Sequence, residues 1–253
     1  MRGFIPPVND DERLFVKRTA DLAAAAARRG FPCFSAFCSD REQVLARAAL
    51  AKAQCERFRF FGGYEGAERQ MLCVWADAEP ELFPIRTLWI EVPFGADALT
   101  HRDYLGSLMG LGLKRECMGD ILVRENGAYL LITQQMAPFV LQQLCSVGRA
   151  GASVREAELP AQLQQREVQT ATVTVPSLRL DALLAAMMKT SRSDAAELIR
   201  SGAVLVNHVP TDSAHYEVCE GDLFTVRGKG RYRLCEVRGK SKKDRTFVSY
   251  EQY

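Results

Sequence analysis

The sequence lacks any run of apolar residues long enough to cross a bilayer, for which roughly 20 are needed. Its first residues also lack the apolar segment of a secretory signal peptide. With 47% hydrophobic and 25% charged residues, the composition is that of an ordinary soluble globular chain. We therefore expect a cytoplasmic protein without a membrane partner, and its 253 residues are enough for two or three domains.

The sequence also lacks the short motifs of common catalytic and metal sites. It contains no Gly-x-Ser-x-Gly, no His-Glu-x-x-His and no Cys-x-x-Cys. The three histidines, His101, His208 and His215, do not have zinc-ligand spacing. Cys33 and Cys38 are the nearest pair among eight cysteines, and we expect them to be reduced core thiols. The sequence therefore predicts no catalytic residue, no metal and no cofactor.

Charge is nearly balanced over the whole chain, at +2, but one segment departs strongly from this balance. Residues 227–245 hold nine basic side chains against two acidic ones. The nine are Arg227, Lys229, Arg231, Arg233, Arg238, Lys240, Lys242, Lys243 and Arg245. Such a concentration of positive charge favours binding to a polyanion.

The first 160 residues divide into two regions of different periodicity. Residues 11–29 and 40–58 carry helical patterns, so residues 1–70 are predicted to form a helical N-terminal domain. Residues 71–160 are predicted to form a middle domain with the order β-α-β-β-α-β, which is the ferredoxin-like pattern. Its hairpin is predicted around Asn126-Gly127, the strongest turn signal in the chain.

Beyond this region, residues 171–253 are predicted to form a third domain, with two short helices followed by strands. Four consecutive stretches of it resemble an S4 RNA-binding domain: Leu178–Leu184, Thr190–Gly202, Val204–Asn207 and Val218–Val226. The wider chain resembles the YlmH-type S4 proteins through Leu99–Leu122, Gly228–Tyr232 and Gly239–Lys243. The expected fold class is α+β, with a helical N-terminal region, a ferredoxin-like middle domain and a C-terminal S4 domain.

The second helix of the S4-like region begins with a candidate phosphate site. Ser191 and Asp194 have the spacing of a capping box, which places Arg192 and Ser193 in the first helical turn. Backbone N–H groups in that turn have no intrahelical acceptor and the helix dipole is positive there, so the position favours an anion.

Further basic residues are predicted to extend this site. Arg179 opens the preceding helix, where Asp181 is expected to orient it, and Arg200 lies two turns after Arg192, about 80° around the helix. The complete predicted RNA-binding set is Arg179, Lys189, Arg192, Ser193, Arg200, Asn207, Lys229, Arg231 and Arg233.

The middle domain carries a second group of basic residues, His101, Arg102, Lys114 and Arg115. They are candidates for a second RNA patch, with an ordinary solvated helix end as the alternative. Tyr129 is the only aromatic residue of the predicted strand 129–133, whereas an RNA-recognition motif presents several stacking aromatics. The sequence therefore does not favour base stacking by this sheet.

The resemblance implies a protein that binds RNA without catalysis. Its expected partners are ribosomal RNA or tRNA and the large ribosomal subunit, in translation or in quality control of stalled peptidyl-tRNA complexes. Two alternatives stay open. One is an RNA-modifying enzyme, of pseudouridine synthase or methyltransferase type, with an S4 targeting domain; the other is an interaction protein linked to cell division.

Overall fold

The computed structural model describes residues 6–93, 99–163, 169–240 and 244–252. The chain forms two compact units, one containing Pro7–Arg166 and the other Glu167–Tyr253. Within the described residues, the helices are α1 (Asp10–Arg29), α2 (Asp40–Lys52), α3 (His101–Gly110), α4 (Ala137–Gln143), α5 (Leu180–Met188) and α6 (Arg192–Arg200). None of them is both long and apolar enough to cross a membrane.

The strands of the first unit, in chain order, are β1 (Cys33–Cys38), β2 (Phe58–Phe61), β3 (Gln70–Val74), β4 (Ile85–Glu91), β5 (Met118–Arg124), β6 (Gly127–Thr133), β7 (Ser146–Val147), β8 (Ala150–Gly151) and β9 (Ser153–Glu156). Those of the second unit are β10 (Gln169–Val175), β11 (Val204–Val206), β12 (Val209–Pro210), β13 (Leu223–Val226), β14 (Gly230–Lys240) and β15 (Thr246–Gln252). The α+β fold class is therefore confirmed.

Two helices occur in the N-terminal region, as the periodicity predicts. Asn9 caps α1 by accepting from the backbone of Glu12, and Ser39 forms a reciprocal capping box with Glu42 at the start of α2. The region also contains strands that the sequence did not predict, because β1 and β2 each pair with the distant β3 in an antiparallel sheet. Local periodicity carries little information about such long-range pairing.

The middle region forms the predicted β-α-β-β-α-β arrangement. Its four strands lie in the order β5-β6-β4-β9, and every neighbouring pair is antiparallel. The two helices cover one face of this sheet, where Leu88 and Ile90 of β4 pack with Tyr104, Leu108 and Val140. The opposite face is formed by alternate residues of the same strands.

A buried carboxylate joins the three-stranded and four-stranded sheets of the first unit. Asp120 of β5 accepts hydrogen bonds from the Tyr64 hydroxyl (2.7 Å) and from the backbone N–H groups of Glu68 (2.7 Å) and Arg69 (3.0 Å). The Arg69 side chain donates in return to the carbonyl oxygen of Met118. The structure thus places the predicted helical region and the predicted middle domain in one compact unit.

The second unit is a six-stranded antiparallel sheet with α5 and α6 on one face. The strand order is β10-β15-β14-β13-β11-β12. Leu183 and Leu184 of α5 and Ile199 of α6 pack against Phe224 and Leu234 of the sheet, and all five side chains are fully buried. This is the expected helix-helix-strand arrangement of the S4-like region.

Candidate nucleic-acid interface

The α5–α6 pair begins with the residues that the sequence predicts to bind phosphate. Arg179 is the N-cap residue of α5, and Lys189 ends that helix with φ at 53° and an exposed side chain. The Ser191 hydroxyl caps α6 by accepting from the Asp194 N–H at 3.1 Å, as the spacing predicts. Arg192 and Ser193 therefore lie in the first turn of α6, and both are exposed.

One buried carboxylate, Asp181, brings Arg179 and Arg192 together. Arg179 donates to it from Nε (3.2 Å) and Nη2 (2.9 Å), and Arg192 donates from Nε (3.0 Å) and Nη2 (3.2 Å). Each Asp181 oxygen thus accepts from both guanidinium groups. Arg179 Nη2 also donates to Nδ1 of His215, a residue that the sequence did not assign to the site.

Charge and exposure in this cluster favour binding of an anion. Asp181 is 4% exposed, whereas the side chains of Arg179 and Arg192 keep 36% and 48% of their surface open to solvent. Burial raises the pKa of Asp181, but the hydrogen bonds from Arg192 and Arg179 outweigh it and hold that pKa below its usual range. Two guanidinium groups therefore share one ionised carboxylate, which leaves one net positive charge.

The exposed side of α6 continues from this cluster. Ala195 and Ile199 face the core, while Arg192, Ser193 and Arg200 are exposed. At 100° per residue, Arg192 and Arg200 are about 80° apart around the helix and two turns apart along it. The structure therefore keeps these predicted residues on one exposed side of the helix pair.

Asn207 lies in the tight turn between β11 and β12, together with His208. Both residues have positive φ, at 49° and 69°, as a two-residue type I′ hairpin turn requires. The Asn207 side chain donates to Asp222 at 2.8 Å and accepts from the Leu223 N–H at 3.0 Å. The structure thus gives Asn207 a role in holding the turn, whereas the sequence predicts an RNA contact.

The predicted strand residues do not extend the surface of the helices. Tyr232 and Leu234 of β14 point into the core beneath α5 and α6, so Arg231 and Arg233 point to the opposite face of the sheet. Lys229 lies exposed in the turn that leads into β14. The expectation of one continuous surface is therefore wrong for Arg231 and Arg233, because successive strand residues alternate between faces. Lys242 and Lys243 lie outside the described residues.

The residues of the second predicted patch differ in how far they are buried. Arg102 and Lys114 are exposed, and Lys114 lies 3.9 Å from Glu116. Arg115 instead donates to the carbonyl oxygens of Met118 and Gly119, both at 2.9 Å. Burial and then the neighbouring Arg69 lower its pKa to about 10.

His101, the remaining residue of that patch, lies close enough to Arg115 for their charges to interact. Partial burial and the Arg115 charge lower the pKa of His101, which favours its neutral form. The patch therefore presents Arg102 and Lys114 as its exposed charges, while Arg115 holds the start of β5.

Sequence reasoning gave Asp181 only the task of orienting Arg179. The second partner, Arg192, is eleven residues away and comes next to Asp181 only because α5 and α6 pack side by side. The sequence did contain one indication of a second partner. Asp181 is the second residue of an otherwise apolar helix, and an acidic residue in such a position is rarely buried without a partner.

Two known protein families match parts of the chain. Residues 79–161 match the family described as "Putative RNA-binding domain in YlmH", and residues 178–224 match the S4 domain family. The first match covers the four-stranded sheet with α3 and α4. The second covers α5, α6 and the strands that follow them as far as Phe224.

Two individual proteins resemble the chain over long stretches. The "Ribosome-associated protein quality control protein P2" of Bacillus subtilis (strain 168) is 32% identical over 246 residues, which cover 96% of this chain and 95% of that protein. The solved structure of "Cell division protein ylmH from Streptococcus pneumoniae" aligns with a TM-score of 0.52 and 23% identity. It covers 65% of this chain and all of that chain, and at this identity it shows a shared fold alone.

Proposed function

Because the chain belongs to the YlmH family of S4-domain proteins, we propose that it is a ribosome-associated, non-enzymatic RNA-binding protein of the cytoplasm. Its ligand is structured ribosomal RNA or tRNA on the large ribosomal subunit. Its task is in translation or ribosome quality control, on stalled peptidyl-tRNA complexes. The name of the Bacillus subtilis relative supports the ribosomal setting.

The observation that carries the proposal is the pair of guanidinium groups held by Asp181. A guanidinium group binds phosphate through two parallel N–H bonds, so its orientation matters as much as its charge. Asp181 fixes the orientation of Arg179 and Arg192, while their Nη1 groups take no part in the bonds to Asp181. The two residues are therefore arranged to meet neighbouring phosphates before RNA arrives, which lowers the entropic cost of binding.

A double variant tests this site. Arg179→Ala with Arg192→Ala should weaken binding to large-subunit RNA by about 1 to 3 kcal/mol per residue, because charge-assisted hydrogen bonds are lost. Binding is measured by co-sedimentation with purified large subunits and by filter binding to their RNA. The slope of log K against log salt should also become less steep by about 1.5, since two phosphate contacts disappear.

The matched control removes two charges elsewhere. Arg13 and Arg29 are both exposed on α1 and lie outside the predicted RNA-binding residues. Arg13→Ala with Arg29→Ala leaves affinity nearly unchanged if the helix-pair site is specific. Equal affinity of the Arg179/Arg192 variant and the parent protein would contradict the site.

The enzymatic alternative makes a different prediction. An RNA-modifying enzyme would alter nucleosides of ribosomal RNA or tRNA, either alone or with S-adenosylmethionine. Both family matches are to binding domains and together cover most of residues 79–224, which supports binding as the activity. Mass spectrometry of nucleosides after incubation should show no new modification.

A further inference from the structure

The face of the four-stranded sheet opposite α3 and α4 is buried around Leu131, and beside this buried part it carries a row of four residues in direct register. Leu122 of β5 lies opposite Tyr129 of β6, Tyr129 lies opposite Trp89 of β4, and Trp89 lies opposite Arg155 of β9. Side chains on neighbouring strands at such positions point to the same face and lie within reach of one another. The helices α3 and α4 cover the other face of the sheet.

Trp89 and Tyr129 form one aromatic pair on this face, so strand pairing gives the sheet a second ring that the sequence of 129–133 alone lacks. Their ring centroids are 4.6 Å apart, the ring planes are inclined by 51°, and both residues are partly exposed. Tyr129 packs on one side against the cluster that contains Leu131 and Leu159. The tyrosine is therefore anchored while part of the aromatic surface stays open to solvent.

Gly127 fixes the position of the indole ring. A Cβ atom built on Gly127 would lie 2.7 and 2.9 Å from two indole carbons of Trp89 and 2.2 Å from the carbonyl oxygen of Ile90. Only a glycine allows the ring to lie across the strand at this point. Because the ring is held in place, little side-chain entropy is lost when a flat ligand stacks on it.

The charges around the rings suit a nucleic acid strand. Arg155 is exposed on the edge strand beside Trp89 and forms no ion pair among the described residues. Arg124 is exposed at the end of β5, opposite Gly127, and Glu91 of β4 is an acidic residue of the same face. Aromatic rings flanked by arginines are the general arrangement for binding unpaired bases and their phosphates.

We propose that the Trp89–Tyr129 face binds an unpaired nucleobase of RNA by stacking, with Arg155 contacting an adjacent phosphate. This proposal rests on the proposed RNA-binding function but uses a surface separate in sequence from the arginines of α5 and α6. The four-stranded sheet would then bind single-stranded or looped-out nucleotides. All of its residues lie within the stretch that matches the RNA-binding family, 79–161.

Tryptophan fluorescence gives a direct test, because the chain has two tryptophans. In full-length protein with Trp75→Phe, Trp89 is the remaining fluorophore. Six-nucleotide oligoadenylate should quench its emission in a saturable way, because a stacked base quenches an indole. An abasic ribose-phosphate chain of the same length should bind without this quenching. Equal quenching by both oligonucleotides, or none by oligoadenylate, would overturn the proposal.

Variants separate stacking from a purely structural role of the rings. In the Trp75→Phe background, Tyr129→Leu should raise the Kd for oligoadenylate about 5- to 150-fold, the range for loss of one base–aromatic contact. Arg155→Gln should make the salt slope less steep by about 0.7, as expected for one phosphate of a single strand. Circular dichroism confirms that each variant is folded, and a folded Tyr129→Leu variant with unchanged Kd would overturn the proposal.

Failure of the two proposals can be told apart. The variant with Arg179→Ala and Arg192→Ala should keep the quenching of Trp89 by oligoadenylate, because those arginines lie in the other compact unit. Loss of large-subunit binding with retained quenching supports both sites. Retained large-subunit binding in that variant, together with quenching, contradicts only the arginine site. Absence of quenching in the Trp75→Phe protein with Arg179 and Arg192 intact, together with normal large-subunit binding, contradicts only the stacking site.

Discussion

At the scale of single residues, buried Asp181 has the clearest role. A buried carboxylate is costly unless it is paired, and here two arginines and the Ala182 N–H supply the pairing. The arginines remain partly exposed to solvent. The cluster therefore has a buried, fully paired carboxylate beneath an accessible cationic surface. The hydrogen bonds of Asp181 thereby stabilise the fold and orient both guanidinium groups for binding phosphate.

Asp181→Asn should destabilise the second unit by about 1 to 3 kcal/mol, because the negative charge is lost and an NH2 donor replaces one of the two oxygens that accept from the guanidinium groups. Urea unfolding followed by circular dichroism measures this change. The arginines would also lose their fixed orientation, so RNA affinity should fall although the net positive charge rises. Higher RNA affinity in this variant would contradict the positioning role.

The same residue makes stability depend on pH. The folded pKa of Asp181 lies below the unfolded value of about 3.9, so its contribution is complete above about pH 4. The contribution is lost as the pH falls through the folded pKa. The difference in unfolding free energy between the parent and Asp181→Asn should therefore shrink below pH 4, which urea titrations at several pH values measure.

Cysteine reactivity gives a second test at this scale. Burial raises the pKa of the thiols of Cys38 and Cys73 to about 11, whereas Cys145 is exposed. The thiolate is the reactive form, so a disulfide reagent at pH 8 should label Cys145 rapidly and the two buried thiols only after unfolding. Peptide mass mapping identifies the sites, and early labelling of Cys38 in native protein would contradict the burial.

At the scale of elements, the β11–β12 turn shows how a local cost is tolerated. His208 adopts a φ of 69°, which a side chain with a Cβ disfavours by about 1 to 2 kcal/mol. The neighbouring Asn207 offsets this cost by bonding to Asp222 and to the Leu223 backbone. The turn is therefore held by its first residue and strained at its second.

His208→Gly should stabilise the protein by about 0.5 to 1 kcal/mol, because glycine adopts positive φ without strain. Asn207→Gly is the matched variant and should destabilise the protein by about 1 to 2 kcal/mol, since buried Asp222 loses a donor. Thermal unfolding should show a higher melting temperature for His208→Gly and a lower one for Asn207→Gly than for the parent protein. A destabilised His208→Gly variant would show that the imidazole itself contributes to packing.

At the scale of the whole molecule, each compact unit has its own buried core. The core of the second unit is centred on Leu183, Leu184 and Phe224. In the first unit, the three-stranded and four-stranded sheets are linked through Asp120 and its bonds to Tyr64, Glu68 and Arg69. Loss of this link should therefore affect these two sheets together.

Asp120→Ala should lower the stability of the first unit by about 3 kcal/mol, because a buried hydroxyl and two backbone N–H groups lose their acceptor. Hydrogen exchange should become faster in β3 and β5. Amides of β13 and β14 in the second unit serve as the internal control and should keep their exchange rates. Faster exchange in β3 alone would show that the two sheets do not unfold as one.

The sequence by itself determined the helices, the order of elements in the middle domain and the capping of α6. These features depend on local spacing, such as Ser191 with Asp194, and the α+β fold class followed from them. The S4-like motifs also placed Arg179 and Arg192 in the same candidate site. Each of these inferences needed only residues that are near one another in the chain.

The tertiary structure decided which side chains share a surface. Packing of α5 on α6 brought Arg192 to Asp181, and strand alternation placed Arg231 and Arg233 on the other face of the sheet. Pairing of β4 with β6 set Trp89 beside Tyr129, forty residues away. The physical reason is that helix packing and strand register depend on the burial of the whole core, which local spacing does not specify.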